Sequence, residues 1–171
     1  MHPEAYLNCQ AFVENHVRPQ YGDRPAEVLD IGAQAIGEMP NCLRPLFPSP
    51  WRYRGLDLEP GPNIDIVAKP YKFPLEAKTI DVVVSSSCFE HVAHFWRLFV
   101  EMVRVTNVGG LIWIDAPSAG PVHWGADYWR FLPGCWSALA EWDQRVVLVE
   151  SRLGGSETWR DNVGIFKRVK P

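Results

Sequence analysis

The pattern of apolar and polar residues along the chain predicts a series of strands separated by helices. Short apolar or β-branched runs that end at polar residues or proline are typical of parallel strands. These runs are AEVLDI (26–31), WRYRGLDL (51–58), IDIV (64–67), IDVVVSSS (80–87) and LIWIDAP (111–117). Two later runs, RVVLVES (145–151) and NVGIFKRV (162–169), flank a glycine-rich turn and predict an antiparallel pair.

Three segments carry helical patterns. Residues 4–17 place apolar side chains among polar ones and predict a helix that covers the sheet and ends before Pro19. Residues 90–106 show the strongest helical pattern, which the NVGG stretch (107–110) is expected to end, and residues 133–142 can form another helix. The apolar face of the strongest pattern consists of Val92, Phe95, Trp96, Phe99, Val100 and Val103.

The links between the early strands are short. Proline at residues 40 and 48 permits only a short helix before the second strand. The EPGPN turn (59–63) between the second and third strands is shorter than the dozen residues that a parallel crossover normally needs. We therefore expect the helices between strands 2 and 4 to be reduced or absent.

Together these elements predict an α/β fold: a doubly wound, mostly parallel, seven-stranded sheet with an antiparallel edge strand. The 171 residues fit a single domain. Its parts would be an N-terminal covering helix (1–20), a ligand-binding core (26–131) and a final helix with a hairpin (133–171).

Composition restricts the classes of partner. A net charge of -3 gives no basic surface for nucleic acid, and no apolar stretch resembles a signal peptide or membrane span. A cytoplasmic protein with small-molecule partners is therefore expected. The four cysteines are widely spaced, which indicates reduced thiols rather than a zinc site or a disulfide framework.

The predicted ligand site lies at the carboxyl ends of the strands, beside the first strand. There the loop VLDIGAQAIGE (28–38) lacks the repeated glycines of a dinucleotide site, and Gln34 and Ile36 would crowd a pyrophosphate. Asp57, twenty residues past Gly37, can accept hydrogen bonds from both hydroxyls of a ribose, or can instead cap the EPGP turn. S-adenosylmethionine, a nucleoside without phosphates, fits this pattern, with its amino-acid end near the loop amides and Asp30.

Five segments, in order, resemble class I S-adenosylmethionine-dependent methyltransferases, and more narrowly a small bacterial branch of the methyltransferase type 11 group. The segments are VLDIGA, YRGLDLEPGPNIDIV, IDVVVSSSCFEHV, FWRLFVEMVRVTNVGGLIWIDAPS and HWGADYWRF. The resemblance covers about residues 26–131, and it implies a Rossmann-like methyltransferase fold with S-adenosylmethionine as cofactor.

The resemblance also implies roles for individual residues. Gly32, Ala33 and Gln34 would line the methionine part, and Asp57 with Leu58 would hold the ribose. Ser86 or Ser87 would border the adenosine and the sulfonium. Relatives often place an acidic residue against the adenine amino group, whereas this chain has AKPY (68–71). Backbone groups or Tyr71 would therefore contact the adenine.

The acceptor side is expected to carry two histidines. His91 follows the fourth strand and His123 lies in the loop after the fifth, and either imidazole could serve as a general base; His91 could equally be structural. The neighbouring Trp124, Asp127, Tyr128 and Arg130 could form an acceptor wall. Alternatively they form a packed lid in which Arg130 pairs with Asp127 or Glu90.

Two other chemistries fit the sequence less well. His91 and His94 would share one helical face and could bind a metal with His123, but no carboxylate triad or cysteine partner is evident, so no metal is expected. Ser85, Ser86 and Ser87 lack the G-x-S-x-G elbow of a hydrolase.

The sequence therefore predicts a minimal methyltransferase that uses S-adenosylmethionine and acts on oxygen or nitrogen of a small molecule or glycan. Two alternatives remain. One is a catalytically silent S-adenosylmethionine-binding protein with a regulatory or interaction role, which the altered adenine contact favours. The other is an NAD-dependent oxidoreductase, against which the missing glycines count.

Overall fold

The computed structural model describes residues 2–36, 41–155 and 157–171. Within them the chain forms one seven-stranded sheet. The strands are β1 (Ala26–Ile31), β2 (Trp51–Asp57), β3 (Ile66–Val67), β4 (Ile80–Ser86), β5 (Thr106–Pro117), β6 (Val146–Leu153) and β7 (Asp161–Arg168).

The order of the strands across the sheet is β3-β2-β1-β4-β5-β7-β6. Strands β1 to β5 pair in parallel, and β7 runs antiparallel to both β5 and β6. The predicted α/β fold with an antiparallel hairpin at one edge is confirmed. Because the chain proceeds outward from β1 in one direction and then from β4 in the other, a crevice is expected at the carboxyl ends of these two strands.

Helices cover both faces of the sheet, and alternate residues of each strand point to opposite layers. On one face, Val28, Val82 and Trp113 pack with Phe12 and Val13 of the N-terminal helix. On the other face, the strands pack against α3 (Phe95–Val105) and α4 (Cys135–Trp142). The buried residues of that second layer include Leu29, Ile31, Val83, Ile112, Ile114, Leu98, Phe99, Met102, Trp136, Leu139 and Phe166.

The N-terminal helix continues through Pro19, so the predicted end before this residue is wrong. It consists of α1 (Pro3–Phe12), a π-helical turn (Val13–Val17) and α2 (Arg18–Tyr21). A proline ring normally collides with the carbonyl one turn earlier in a helix. The π turn widens the backbone immediately before Pro19, which removes that conflict.

The helix predicted for residues 90–106 begins later, at Phe95. Residues Phe89–His91 form a 3-10 turn instead, so Val92 lies outside the helix. Strand β5 follows at Thr106 without a break, so the NVGG stretch lies within β5, where a bulge interrupts the pairing with β4. The positive φ of Gly109, +86°, accommodates this bulge.

Arg168 of β7 holds the end of α3 in place. Its guanidinium is buried, and Nη1 donates to the carbonyl oxygens of Val103, Arg104 and Thr106. Cations are favourable at the carboxyl end of a helix, where the last carbonyls lack partners.

The links between β1 and β4 are as short as predicted. In the described residues a 3-10 turn (Arg44–Leu46) precedes β2, and turns without an α-helix connect β2, β3 and β4. Gly55 permits the turn after β2 to pack closely, since a Cβ atom there would lie 2.0 Å from the carbonyl oxygen of Asn63. Gly37 and Pro40 lie outside the described residues. The described residues include no helix with the length and apolar character that crossing a membrane requires.

Candidate functional site

A cavity of about 680 Å³ lies at the carboxyl ends of β1, β2 and β4, where the strand order predicted a crevice. Its volume is within the range of small-molecule sites. The structure brings all the residues predicted to bind the cofactor into its lining. They are Asp30, Gly32, Ala33, Gln34, Asp57, Leu58, Tyr71, Ser86 and Ser87.

The loop after β1 turns sharply at Gly32. Its φ of +74° belongs to the left-handed region, and a Cβ atom would lie 2.6 Å from the Sγ atom of Cys88. The amides of Gly32 and Ala33 both donate to the carbonyl of Leu56, at 2.9 and 3.2 Å. Glycine therefore allows the loop to turn close to Cys88 while these two amides bond to the end of β2.

Asp57 joins this loop to the end of β2. Its Oδ2 accepts a hydrogen bond from the amide of Gln34 at 3.1 Å, and its Oδ1 accepts one from the amide of Leu58 at 2.7 Å. A carboxylate offers about four acceptor positions. The contacts with the described residues therefore leave one position on each oxygen, which matches the two adjacent hydroxyls of a ribose.

Asp30 lies beneath the loop and is almost fully buried. Burial raises the pKa of its carboxyl to about 7, although Tyr53 donates a hydrogen bond to it. Asn63 donates to the Tyr53 hydroxyl at 3.1 Å and to the carbonyl of Ala33 at 2.8 Å. These contacts support the loop from below.

The hydroxyl of Ser86 is buried and has no hydrogen-bond partner in the part of the chain that the structure describes, and Ser86 lines the cavity. An unpaired buried hydroxyl is unfavourable, so a ligand that bonds to it would gain affinity. Ser85 is not available in the same way, because its hydroxyl donates to the carbonyl of Ile31 at 3.0 Å.

The side of the cavity expected to hold the adenine is formed by Lys69, Pro70 and Tyr71. The ring of Tyr71 packs under the guanidinium of Arg97, 4.7 Å from its centroid. Its hydroxyl lies 3.4 Å from Nδ1 of His94. Arg97 of α3 and His94, the residue immediately before this helix, thus position Tyr71.

The acceptor side carries the two predicted histidines and two aromatic side chains. The rings of His91 and His123 are in edge contact, with centroids 4.8 Å apart, and both line the cavity. Trp124 and Tyr128 also line it and are 66% and 56% exposed. Large exposed aromatic side chains beside a cavity are suited to stacking on a flat ligand.

Asp127 and Arg130 do not belong to the lining of the cavity. They pair with each other through two contacts, at 2.5 and 2.8 Å, as in the alternative packed-lid interpretation. The Arg130 guanidinium lowers the pKa of the Asp127 carboxyl, which therefore stays ionised. A direct contact of either side chain with an acceptor remains a prediction.

The sequence did not identify Glu90 as a site residue. Its side chain is 1% exposed, and burial raises the pKa of its carboxyl to about 7. Its Oε1 lies 3.7 Å from Nε2 of His91. The sequence signal that could have identified Glu90 is the position of an acidic residue inside the largely apolar stretch CFEHV (88–92).

The predicted pairing of His91 with His94 on one helical face is wrong, because the helix begins only at Phe95. His94 faces Tyr71 instead. Glu90, and not His94, lies close to His91 and His123.

The cavity suits a nucleoside better than a dinucleotide. Among the described residues, its lining contains one lysine, Lys69, and two carboxylates, Asp30 and Asp57. A diphosphate would require more cationic or amide donors than this. The open acceptor positions of Asp57 and the unpaired hydroxyl of Ser86 match the polar groups of a nucleoside. The residues present therefore fit S-adenosylmethionine.

The fold and this cavity define a Rossmann-like α/β protein with a nucleoside site at its topological switch point. A model of the family described as methyltransferase domain matches residues 29–114. The chain belongs to this family, and with it to the class I S-adenosylmethionine-dependent methyltransferases.

Several known proteins are similar to this chain. An uncharacterized methyltransferase of Mycobacteroides abscessus is 38% identical over 82 residues, which cover 48% of this chain and 30% of that protein. Another, of Mycobacterium bovis (strain BCG), is 39% identical over 51 residues, which cover 30% of this chain and 20% of that protein. The chain thus matches less than a third of the length of these curated relatives.

Solved structures share the fold. The 1,6-didemethyltoxoflavin-N1-methyltransferase of Burkholderia thailandensis, with bound 1,6-didemethyltoxoflavin and S-adenosylhomocysteine, has a TM-score of 0.75 and 16% identity. That alignment covers 97% of this chain and 79% of the other. A methyltransferase of Methanosarcina mazei has a TM-score of 0.68 and 14% identity, with coverage of 91% and 98%.

Proposed function

We propose that this protein transfers a methyl group from S-adenosylmethionine to an oxygen or nitrogen atom of a small molecule or glycan. The observation that carries the proposal is the geometry of Asp57, which lines the cavity and whose contacts with the described residues use one acceptor position on each oxygen. Family membership supports the same reaction.

In this proposal the residues of the cavity hold the cofactor by its uncharged parts and by its amino-acid end. Asp57 and Leu58 bind the ribose, and the loop of Gly32, Ala33 and Gln34 binds the methionine portion above Asp30. Ser86 or Ser87 borders the adenosine and the sulfonium, and Tyr71 contacts the adenine. When bound, S-adenosylmethionine supplies a methyl group activated by a positively charged sulfur.

The remaining task of the protein is to align the acceptor, an effect that contributes several kcal/mol in such displacements. Trp124 and Tyr128 would form the wall on which a flat acceptor rests, while Asp127 and Arg130 hold the loop. His91 and His123 face the same space and are the candidates to accept a proton from a hydroxyl acceptor. The Burkholderia neighbour, which modifies N1 of a small molecule, supports a small acceptor.

The test has two stages. Isothermal titration with S-adenosylhomocysteine should show saturable binding at one site, and its absence at millimolar ligand with folded protein would contradict the proposal. The protein is then incubated with methyl-labelled S-adenosylmethionine and a metabolite extract. Label is expected in a low-molecular-weight product.

The same experiments separate the alternatives. Saturable binding without labelled product in any fraction of the extract would support a catalytically silent binding protein. A thermal-shift comparison addresses the oxidoreductase, because NADH should raise the melting temperature less than S-adenosylhomocysteine does.

A further inference from the structure

A carboxylate and two imidazoles converge on the acceptor side of the cavity. Glu90, His91 and His123 each offer a ligand atom, and these atoms all lie within 4.8 Å of one another. The first two residues belong to the 3-10 turn after β4, whereas His123 comes from the loop after β5. The strands therefore bring together residues that lie more than thirty positions apart.

The hydrogen bond that Nδ1 of His91 makes leaves the other ring nitrogen, Nε2, available to bind a cation. Nδ1 contacts the carbonyl oxygen of Ala126, and because a carbonyl can only accept, Nδ1 must carry the proton. Nε2 then presents a lone pair in the neutral ring, and it faces Oε1 of Glu90 at 3.7 Å. When Glu90 is ionised, two acceptor atoms thus face each other.

Glu90 provides an independent sign of a missing partner. Its side chain is 1% exposed, and its Oε2 has no hydrogen-bond partner among the described residues. A buried carboxylate oxygen without a donor is costly, and buried charges are normally paired or coordinate a metal. The neighbouring Arg130 does not meet this need, because its guanidinium is engaged by Asp127.

His123 has the surroundings of a metal-binding histidine. Its amide donates to Oδ2 of Asp127 at 2.8 Å, and its Nδ1 lies 3.0 Å from the same oxygen, out of line for a hydrogen bond. Arg130 holds both oxygens of Asp127. A small rotation of the His123 ring would let Nδ1 donate to Asp127, and a ring N–H donated to a carboxylate is a common outer contact of metal-binding histidines.

We propose that Glu90, His91 and His123 bind a divalent transition-metal cation such as zinc beside the acceptor space. Two imidazoles and one carboxylate are a ligand set typical of catalytic zinc sites. Zinc holds such ligands at about 2.0–2.2 Å. The ligand atoms must therefore approach one another, and the partly exposed ring of His123 can make this adjustment.

Three protein ligands leave a coordination position open. Since His91 and His123 line the cavity, an acceptor oxygen could occupy that position and be oriented by the metal. In the metal-bound protein the imidazole lone pairs are used for coordination. The metal would then take over the task proposed above for the two histidines, whereas its binding does not depend on the cofactor.

The experiment uses the full chain, treated with a chelator and then dialysed. Zinc is titrated by calorimetry in the absence of cofactor, and cobalt serves as a spectroscopic probe of the ligand set. One zinc per chain is expected. The variants Glu90→Gln and His123→Ala should each weaken zinc binding at least tenfold and change the visible spectrum of bound cobalt.

Matched controls are His94→Ala, which removes a neighbouring histidine outside the cluster, and Cys88→Ser, which removes the thiol in the cavity lining. Both should bind zinc as the unmodified chain does. Absence of saturable zinc binding, or binding that is unchanged in Glu90→Gln and His123→Ala, would overturn the proposal. Titration of each variant with S-adenosylhomocysteine shows whether the cofactor site is intact, so failure of the metal site is distinguishable from failure of the proposed function.

Discussion

Replacement of Asp57 by alanine tests the central feature of the site. The contacts of Asp57 with the described residues leave one acceptor position on each carboxylate oxygen, so Asp57→Ala would remove the two hydrogen bonds proposed to the ribose. A hydrogen bond to a charged group contributes about 1.5–3 kcal/mol. The sum, about 3–6 kcal/mol, corresponds to a Kd that is roughly 10² to 10⁴ times weaker.

The fold should tolerate this change. The amides of Gln34 and Leu58, which now donate to Asp57, lie where water can replace the carboxylate. Isothermal titration with S-adenosylhomocysteine measures the effect, and circular dichroism checks the fold. Glu59→Ala is the matched control, because it removes an exposed carboxylate two residues away that does not line the cavity. If Asp57→Ala binds within threefold of the unmodified chain, the assignment of the ribose site is wrong.

Three further predictions concern stability. The folded-state pKa of Asp30, about 7, lies above its unfolded value of 3.8. The stability that Asp30 contributes through its bound proton is therefore complete below pH 4 and is lost as the pH rises to about 7. Asp30→Asn keeps an acceptor for Tyr53 and should therefore raise the free energy of unfolding, measured in urea at pH 8, by up to about 4 kcal/mol. An equal gain at pH 4 would refute this prediction. Gly55→Ala places a Cβ atom 2.0 Å from a backbone carbonyl and should lower the melting temperature by about 5–10 °C, whereas Gly125→Ala, in open space, should not. Arg168→Met removes the Arg168 donor from the carbonyls of Val103 and Thr106, while the carbonyl of Arg104 keeps the amide of Lys78, and should cost about 2–4 kcal/mol in the same urea assay; a loss below 1 kcal/mol would contradict the role of Arg168.

Much of the sheet was predictable because its strands are buried on both faces. The run that became β4, IDVVVSSS, is a nearly continuous apolar stretch, and such runs are typical of central parallel strands. The apolar and β-branched residues of AEVLDI and LIWIDAP likewise predicted β1 and β5. Their carboxyl ends then located the cavity, because strand order alone determines where the crevice forms. The predicted positions of Gly32 and Asp57 followed from that rule.

The errors occurred where local geometry overrides periodicity. Apolar spacing cannot detect a π turn, so the passage of the first helix through Pro19 was not predictable. The helix predicted for 90–106 also began too early, because Val92 continues the apolar spacing of α3 but lies outside the helix. This error hid the contribution of Glu90, which lies in a turn and not on a helical face.

The position of β7 between β5 and β6 has a consequence for synthesis on the ribosome. Strand β6 emerges before the strand that must separate it from β5. During that interval β5, with its apolar residues 111–114, presents an open row of backbone groups to other chains. We expect this interval to be the time at which the nascent chain is most prone to aggregate, so slow closure of the β6–β7 hairpin would lower the yield of native protein without changing its final stability.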